Sequence, residues 1–148
     1  MIWRPNVTVA AVVAQEQRFL FVEEESEGRL VLNQPAGHLE EGESLIQAVT
    51  RETLEETAYR FVPDALIGVY RWRNHANAVT YLRFAFSGRI VGHETGQPLD
   101  HGIARALWLT ADEIAACPER HRSPQVATCL ADYLAGSRYP LEVLRDLI

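Results

Sequence analysis

Between Ser44 and Thr57 the chain reads "SLIQAVTRETLEET", and one helical stripe changes character along its length. At about 100° per residue, Leu45, Ala48 and Val49 share a face. Glu52 and Glu56 continue that face one and two turns further on, with Glu55 at its margin. An apolar stripe has to be buried against a sheet or another helix, so the acids that prolong it are drawn inward as well. This limits the fold to one in which the helix begins on a sheet and ends where carboxylates are tolerated. Like charges at this spacing cost about 0.2–0.5 kcal/mol per pair on a solvated helix. An anion near the helix C-terminus adds about 0.3–1 kcal/mol, and partial burial makes both worse. Folding alone gives no reason for the arrangement.

A divalent cation does. Clustered carboxylate oxygens are hard ligands that suit Mg²⁺ or Mn²⁺, ions that also keep bound waters and phosphate oxygens. Arg51, one turn before Glu55, is placed to hold one carboxylate while the others coordinate. The plainer alternative is a solvated acidic patch, and the core-facing phase of the glutamates counts against it.

The rest of the chain alternates strands and helices. "VTVAAVVA" (7–14) is rich in β-branched residues and reads as a buried strand, with 18–24 as its hairpin partner and a short strand over 30–33. "QPAGHLEEGE" (34–43) reads as a structured loop, and Ser44 as the helix N-cap. Long strands are expected over 59–72 and 79–91, a loop over 92–102 and a strand over 104–109. Thr110 with Glu113 forms a capping-box pattern for a short helix, and a last helix covers 123–135, with Pro124 in its first turn and Gly136 beyond its end. No repeat or linker interrupts this order, so a single α/β domain with a mixed sheet and helices on its faces is expected over 1–148.

Composition narrows the function classes. A net charge of −6 disfavours a nucleic-acid polymer as partner but leaves room for a single nucleotide in a local positive pocket. No run approaches the roughly 20 apolar residues that span a bilayer, and the first residues lack the pattern of an export signal. The two cysteines, Cys117 and Cys129, have no metal-like or redox-like spacing, which fits a reducing cytoplasm. A calcium loop of the required spacing is not present.

The spacing from the loop into the helix resembles the signature of the Nudix hydrolase family. That pattern is Gly, five residues, Glu, seven residues, then Arg-Glu-aliphatic-any-Glu-Glu-any-Gly-aliphatic. Gly37, Glu43, Arg51, Glu52, Glu55 and Glu56 match it in identity and spacing. Thr53 and Tyr59 stand where the family has aliphatic residues, and Ala58 where it has glycine. Thr53 is expected to pack less well than leucine, at about 1 kcal/mol or more, and Ala58 puts the left-handed helix exit in question. The resemblance implies an α/β/α sandwich and a metal-dependent hydrolase that cleaves a diphosphate bond in a small phosphorylated substrate. Shorter stretches, "QPAGHLE", "RW" at 71–72, "LRFAF" at 82–86, "RSP" at 122–124 and "RYPLE" at 138–142, resemble the phosphatase NudJ branch of that family. That branch implies Mg²⁺ and phosphate release from nucleoside tri- and diphosphates or thiamin-pathway pyrophosphates. The alternatives are an ADP-ribose or nucleotide-sugar pyrophosphatase and a non-catalytic nucleotide-binding module, in either case as a monomer or homodimer.

Roles follow from this reading. Glu52, Glu55 and Glu56 supply metal ligands, with Glu52 and Glu56 foremost, and the resemblance adds the backbone carbonyl of Gly37. Arg51 orients a glutamate, and Glu43 supports the helix start or pairs with Arg51. The general base is Glu52 or a residue of the later loop, Glu94, Asp100 or His101, of which Asp100 ranks first. Trp72 either stacks on a substrate ring or fills the core. Arg73, Arg83 and Arg122 are candidates to balance phosphate charge, and His38 to touch phosphate. Trp3, Trp108, Tyr133 and Tyr139 are expected to pack.

Overall fold

A computed structural model describes residues 1–147. Its strands are β1 (Asn6–Val12), β2 (Ala14–Gln15), β3 (Arg18–Ser26), β4 (Arg29–Asn33), β5 (Ala36–His38), β6 (Tyr59–Asn74), β7 (Val79–His93) and β8 (Ile103–Thr110). Its helices are α1 (Leu45–Thr57), α2 (Ala111–Ala115) and α3 (Gln125–Leu134). The fold is α/β with a mixed sheet, as expected, but the strands divide into two sheets. The first runs β5-β1-β7-β6 and is mixed: β1 lies parallel to β7, while β5 and β6 pair antiparallel to their neighbours. The second is antiparallel, with β3 between β8 and the β2 and β4 strands.

Strand alternation sorts the core into two layers. Val9, Ala11, Leu66 and Phe86 turn toward α1 and meet Ala48 and Val49. Their neighbours Val12, Ile67 and Ala85 turn the other way and meet Val126, Cys129 and Leu130 of α3. The second sheet serves both layers, Leu20 joining the α1 side and Phe19 and Phe21 the α3 side. This gives the helix–sheet–helix sandwich that the resemblance implied.

Three expectations are corrected. The strand over 7–14 does not pair with 18–24 along its length: only Ala14 and Gln15 are in register with β3, and β1 lies between β5 and β7. The stretch 34–43 is not all loop, because Ala36–His38 pairs with the edge of β1; its Pro and Gly content conceals a strand that needs only one neighbour. Trp3 and Tyr139 are exposed rather than packed. Trp108 and Tyr133 do pack, edge-on against Tyr59 and Phe19.

Candidate active site

Helix α1 is pinned at both ends. Ser44 Oγ accepts from Gln47 N and the Gln47 side chain accepts from Ser44 N, a reciprocal cap. At the other end Ala58 takes φ 63, the left-handed conformation usually left to glycine. Thr53 is fully buried, yet its hydroxyl donates to the Val49 carbonyl at 2.8 Å, so the polar substitution leaves no orphaned group. Ala48, Val49, Glu52, Thr53 and Glu56 form the buried stripe, and Glu55 lies at its half-exposed margin, as the helical phase predicts.

Arg51 ties the carboxylates together. Its Nε and Nη2 clasp Glu43 in a two-pronged pair at 2.9 and 2.7 Å, and Nη1 reaches Glu52 at 2.8 Å and Glu55 at 3.2 Å. Nη2 also donates to the His38 carbonyl at 3.0 Å. Glu43, through this Arg51 pairing, is held below the usual carboxylate range, and the guanidinium in turn is held far above its ordinary value. Both candidate roles for Glu43 are visible, since it also accepts from Glu40 N in the turn before α1.

The buried acids behave differently. Burial pushes Glu56 up to about 9; the N–H of Ala36, 3.0 Å from its Oε1, opposes this, while Glu24, Glu52 and Asp100 reinforce it. Burial also raises Glu52, against the pull of Arg51. Gly37 is where Glu52 comes to rest: a Cβ on Gly37 would collide with the Glu52 carboxylate carbon and both oxygens. The absence of a side chain on β5 therefore opens the space that Glu52 occupies.

Asp100 reaches the same place from the other end of the chain. Its N–H donates to the Glu55 carbonyl at 3.0 Å, Gln97 Nε2 donates to Leu54 O at 2.8 Å, and Glu94 N donates to Ala58 O at 2.8 Å. The loop thus satisfies the Glu55 and Ala58 carbonyls that the end of α1 leaves open, and adds a second donor to Leu54 O, which already accepts from Ala58 N. One carboxylate oxygen each from Glu52, Glu55 and Asp100 lie within 4.8 Å of one another. Glu56 is outside this trio but lines the same cleft as Glu52. An all-oxygen donor set of carboxylates that outnumber the one guanidinium paired with them, Arg51, fits a hard divalent cation.

The cleft measures about 620 Å³ and runs from Gly37, Glu52 and Glu56 past Trp72 and Tyr81 to Arg83, Arg122 and Gln125. A family model described as the NUDIX domain matches residues 4–129 of the chain. The chain belongs to the Nudix hydrolase family. It is homologous to phosphatase NudJ of Escherichia coli K12, with 40% identity over 97% of this chain and 93% of that one. A NUDIX hydrolase from Nitrosomonas europaea superposes with a TM-score of 0.95 at 52% identity, over 97% of this chain and 98% of its own. The NUDIX domain of Shewanella oneidensis NrtR, solved with ADP ribose, shares the fold at a TM-score of 0.71 and 17% identity, each chain 90% covered.

Within this Nudix cleft the candidate residues separate. Trp72 is half-buried on the cleft wall and stacks on Tyr81 with centroids 5.8 Å apart, so it is no core filler. Arg83 and Arg122 line the cleft, whereas Arg73, one residue along β6 from Trp72, is exposed outside it. Arg122 is engaged by Glu24 at 3.4 Å and by Ser26. His38 is exposed at the cleft rim. Glu94 pairs with Arg60, away from the acidic trio, and His101 is exposed beside Asp100. The sequence reading missed Asn33 and Gln34, which accept from Arg83, and Ser123 and Gln125, buried polar residues that line the same cleft. Arg83 itself was named as a candidate to balance phosphate charge; what could have signalled its burial is strand phase, since it shares a side of β7 with the core residue Ala85.

Proposed function

We propose that the chain is a Mg²⁺-dependent pyrophosphohydrolase that releases phosphate from nucleoside tri- and diphosphates or thiamin-pathway pyrophosphates. The observation that carries this reading is the burial of Glu52 and Glu56 beside Gly37 on one wall of an open cleft. Carboxylates with such neighbours are costly unless a cation joins them. Glu52, Glu55, Glu56 and the Gly37 carbonyl would hold Mg²⁺, with Mn²⁺ as a substitute. When bound, the ion neutralises phosphoryl oxygens and makes a water easier to ionise.

The remaining work belongs to side chains. Arg51 keeps Glu52 and Glu55 in position. Asp100 accepts the proton of the attacking water as its oxygen bonds to phosphorus and the anhydride P–O bond breaks. Trp72 offers a ring face to a base or pyrimidine, a contact of about 1–3 kcal/mol, and Arg83 and Arg122 offset phosphate charge. The homology to a protein named phosphatase NudJ supports phosphate release; the substrate range is what the resemblance to that branch implies.

A panel of nucleotides, thiamin-type pyrophosphates and ADP-ribose, incubated with Mg²⁺ or EDTA and read by phosphate release, tests the proposal. Metal-dependent orthophosphate is the expected result. A nucleoside monophosphate plus a sugar phosphate would assign a nucleotide-sugar pyrophosphatase. Ligand binding with no turnover would assign a non-catalytic module.

A further inference from the structure

Beyond the acids, the same cleft has a wall of buried polar side chains: Thr8, Asn33, Arg83, Ser123 and Gln125. Its centre is Arg83, only 4% exposed. Nη1 donates to Gln34 Oε1 at 3.0 Å and to Cys129 Sγ at 3.8 Å, and Nη2 donates to Asn33 Oδ1 at 3.0 Å. All three acceptors are uncharged, since burial raises the Cys129 thiol and keeps it protonated. Among the described residues no carboxylate forms an ion pair with Arg83. A guanidinium keeps its charge in proteins, and a buried charge without a counter-ion is strongly disfavoured.

Two further observations point the same way. Arg83 Nε–H has no protein acceptor, nor has Nε2 of Gln125, a residue 7% exposed. By count the guanidinium keeps one unused N–H at Nε and one at Nη2, the pair that grips two oxygens of one anion side by side. Arg83 Nε and Gln125 Nε2 are covered from water, so both side chains must turn slightly into the cleft to meet an anion. Gln125 opens α3, so the positive end of that helix dipole faces the same wall. Arg122 on the same wall has Glu24 as a partner at 3.4 Å, which offsets part of its charge, whereas Arg83 has no anionic partner among the described residues.

We propose that Arg83 and Gln125 form an oxyanion subsite that holds a phosphoryl group of the substrate without recourse to the metal ligands, and afterwards holds the released phosphate. Naming the anion as phosphoryl rests on the hydrolase reading; the existence of the subsite does not. Asn33 and Gln34 orient the guanidinium, and Arg83 and Gln125 meet the anion.

The test is calorimetric titration of the full chain with inorganic phosphate in EDTA at fixed ionic strength, using the wild type, Arg83→Gln and Gln125→Met. Saturable binding is expected for the wild type, weakened roughly tenfold or more by Arg83→Gln and about three- to tenfold by Gln125→Met. Gln125→Met removes a group with no strong protein bond, so its unfolding temperature should stay at the wild-type value. Wild-type binding that is absent in EDTA, or a folded Gln125→Met that binds as tightly as the wild type, overturns the subsite whatever Arg83→Gln does to folding. Turnover in Mg²⁺ decides the hydrolase reading separately: turnover without phosphate binding in EDTA keeps the enzyme and removes the subsite, and the reverse result does the opposite.

Discussion

Glu56→Gln converts the unusual burial of an acid into a measurable slope. The carboxyl has an ordinary value of 4.5 and stands at about 9 in the folded chain without metal. Below pH 4.5 it is neutral in both states and contributes no pH dependence. Between 4.5 and 9 the unfolded chain is ionised while the folded chain holds its proton, so unfolding releases a proton and stability falls as pH rises. Each pH unit in that window costs about 1.4 kcal/mol, which reaches about 3 kcal/mol at pH 7. This is an upper value, because the cleft is open to water that can relax around the charge. Above pH 9 the loss levels off. Glutamine keeps an acceptor for the Ala36 N–H and carries no charge, so the variant lacks this contribution altogether.

The assay is urea denaturation in EDTA at half-unit steps from pH 5.5 to 9, comparing midpoints and slopes of the two proteins. Glu52 also titrates upward and tilts both curves, so the difference between them isolates Glu56. The variant should be steadier, by a margin that widens toward pH 9. Mg²⁺ should steady the wild type above pH 7 and leave the variant little changed. Parallel wild-type and variant curves across the window would refute the reasoning. Turnover of the variant should be almost lost, and near-normal turnover would refute its proposed role.

Three other perturbations separate position from charge. Gly37→Ala should lower kcat about 100-fold or more by displacing the Glu52 carboxylate, while the unfolding free energy changes by less than about 1 kcal/mol because a flexible side-chain end absorbs the collision; unchanged kcat would show that Glu52 needs no such placement. Asp100→Asn should lower kcat by about 10²–10⁴-fold with little change in KM, measured by steady-state phosphate release, and an unchanged rate would return the base role to Glu52 or another acid. Arg51→Gln should destabilise the chain by about 2–4 kcal/mol, since Glu43, Glu52 and Glu55 lose their shared partner; a thermal melt near the wild type would mean that the pairing network contributes little to stability.

The helix and its acids were legible because both follow from local phase and spacing. Leu45, Ala48 and Val49 set the buried stripe, and Glu52 and Glu56 had to follow it. The caps were legible for the same reason, Ser44 for α1 and Thr110 with Glu113 for α2. What depends on distant pairing was not. The division into two sheets is decided by β3 choosing β8 rather than β1 as its long partner, a choice that alternating apolar residues leave open. β5 was hidden because three residues beside a proline carry almost no strand signal, although its pairing places Gly37 beneath Glu52. Around Arg83, side chains from β4, β7 and α3 meet, and no local pattern in any of them announces a buried polar wall.

The loop before β8 shows how the cap of a helix and the geometry of a reaction can be one requirement. An α-helix leaves its last carbonyls unpaired, and at this end there is no basic residue in the final turn to meet them. Ala58 turns left-handed, at about 1–2 kcal/mol for a non-glycine residue, its own N–H closing on Leu54 O. The Glu55 and Ala58 carbonyls then receive the Asp100 N–H and the Glu94 N–H, while the Gln97 amide adds a second bond to Leu54 O. The backbone bond that satisfies Glu55 is the bond that fixes Asp100, so its carboxylate arrives beside Glu52 and Glu55 without any attraction between like charges. Loosening that cap, for example by removing the Gln97 amide, should therefore weaken the chemical step before it weakens the fold. The strain at Ala58 and the repulsion among the acids lie within two turns of one helix end, and the contacts that hold the one in place also hold the other.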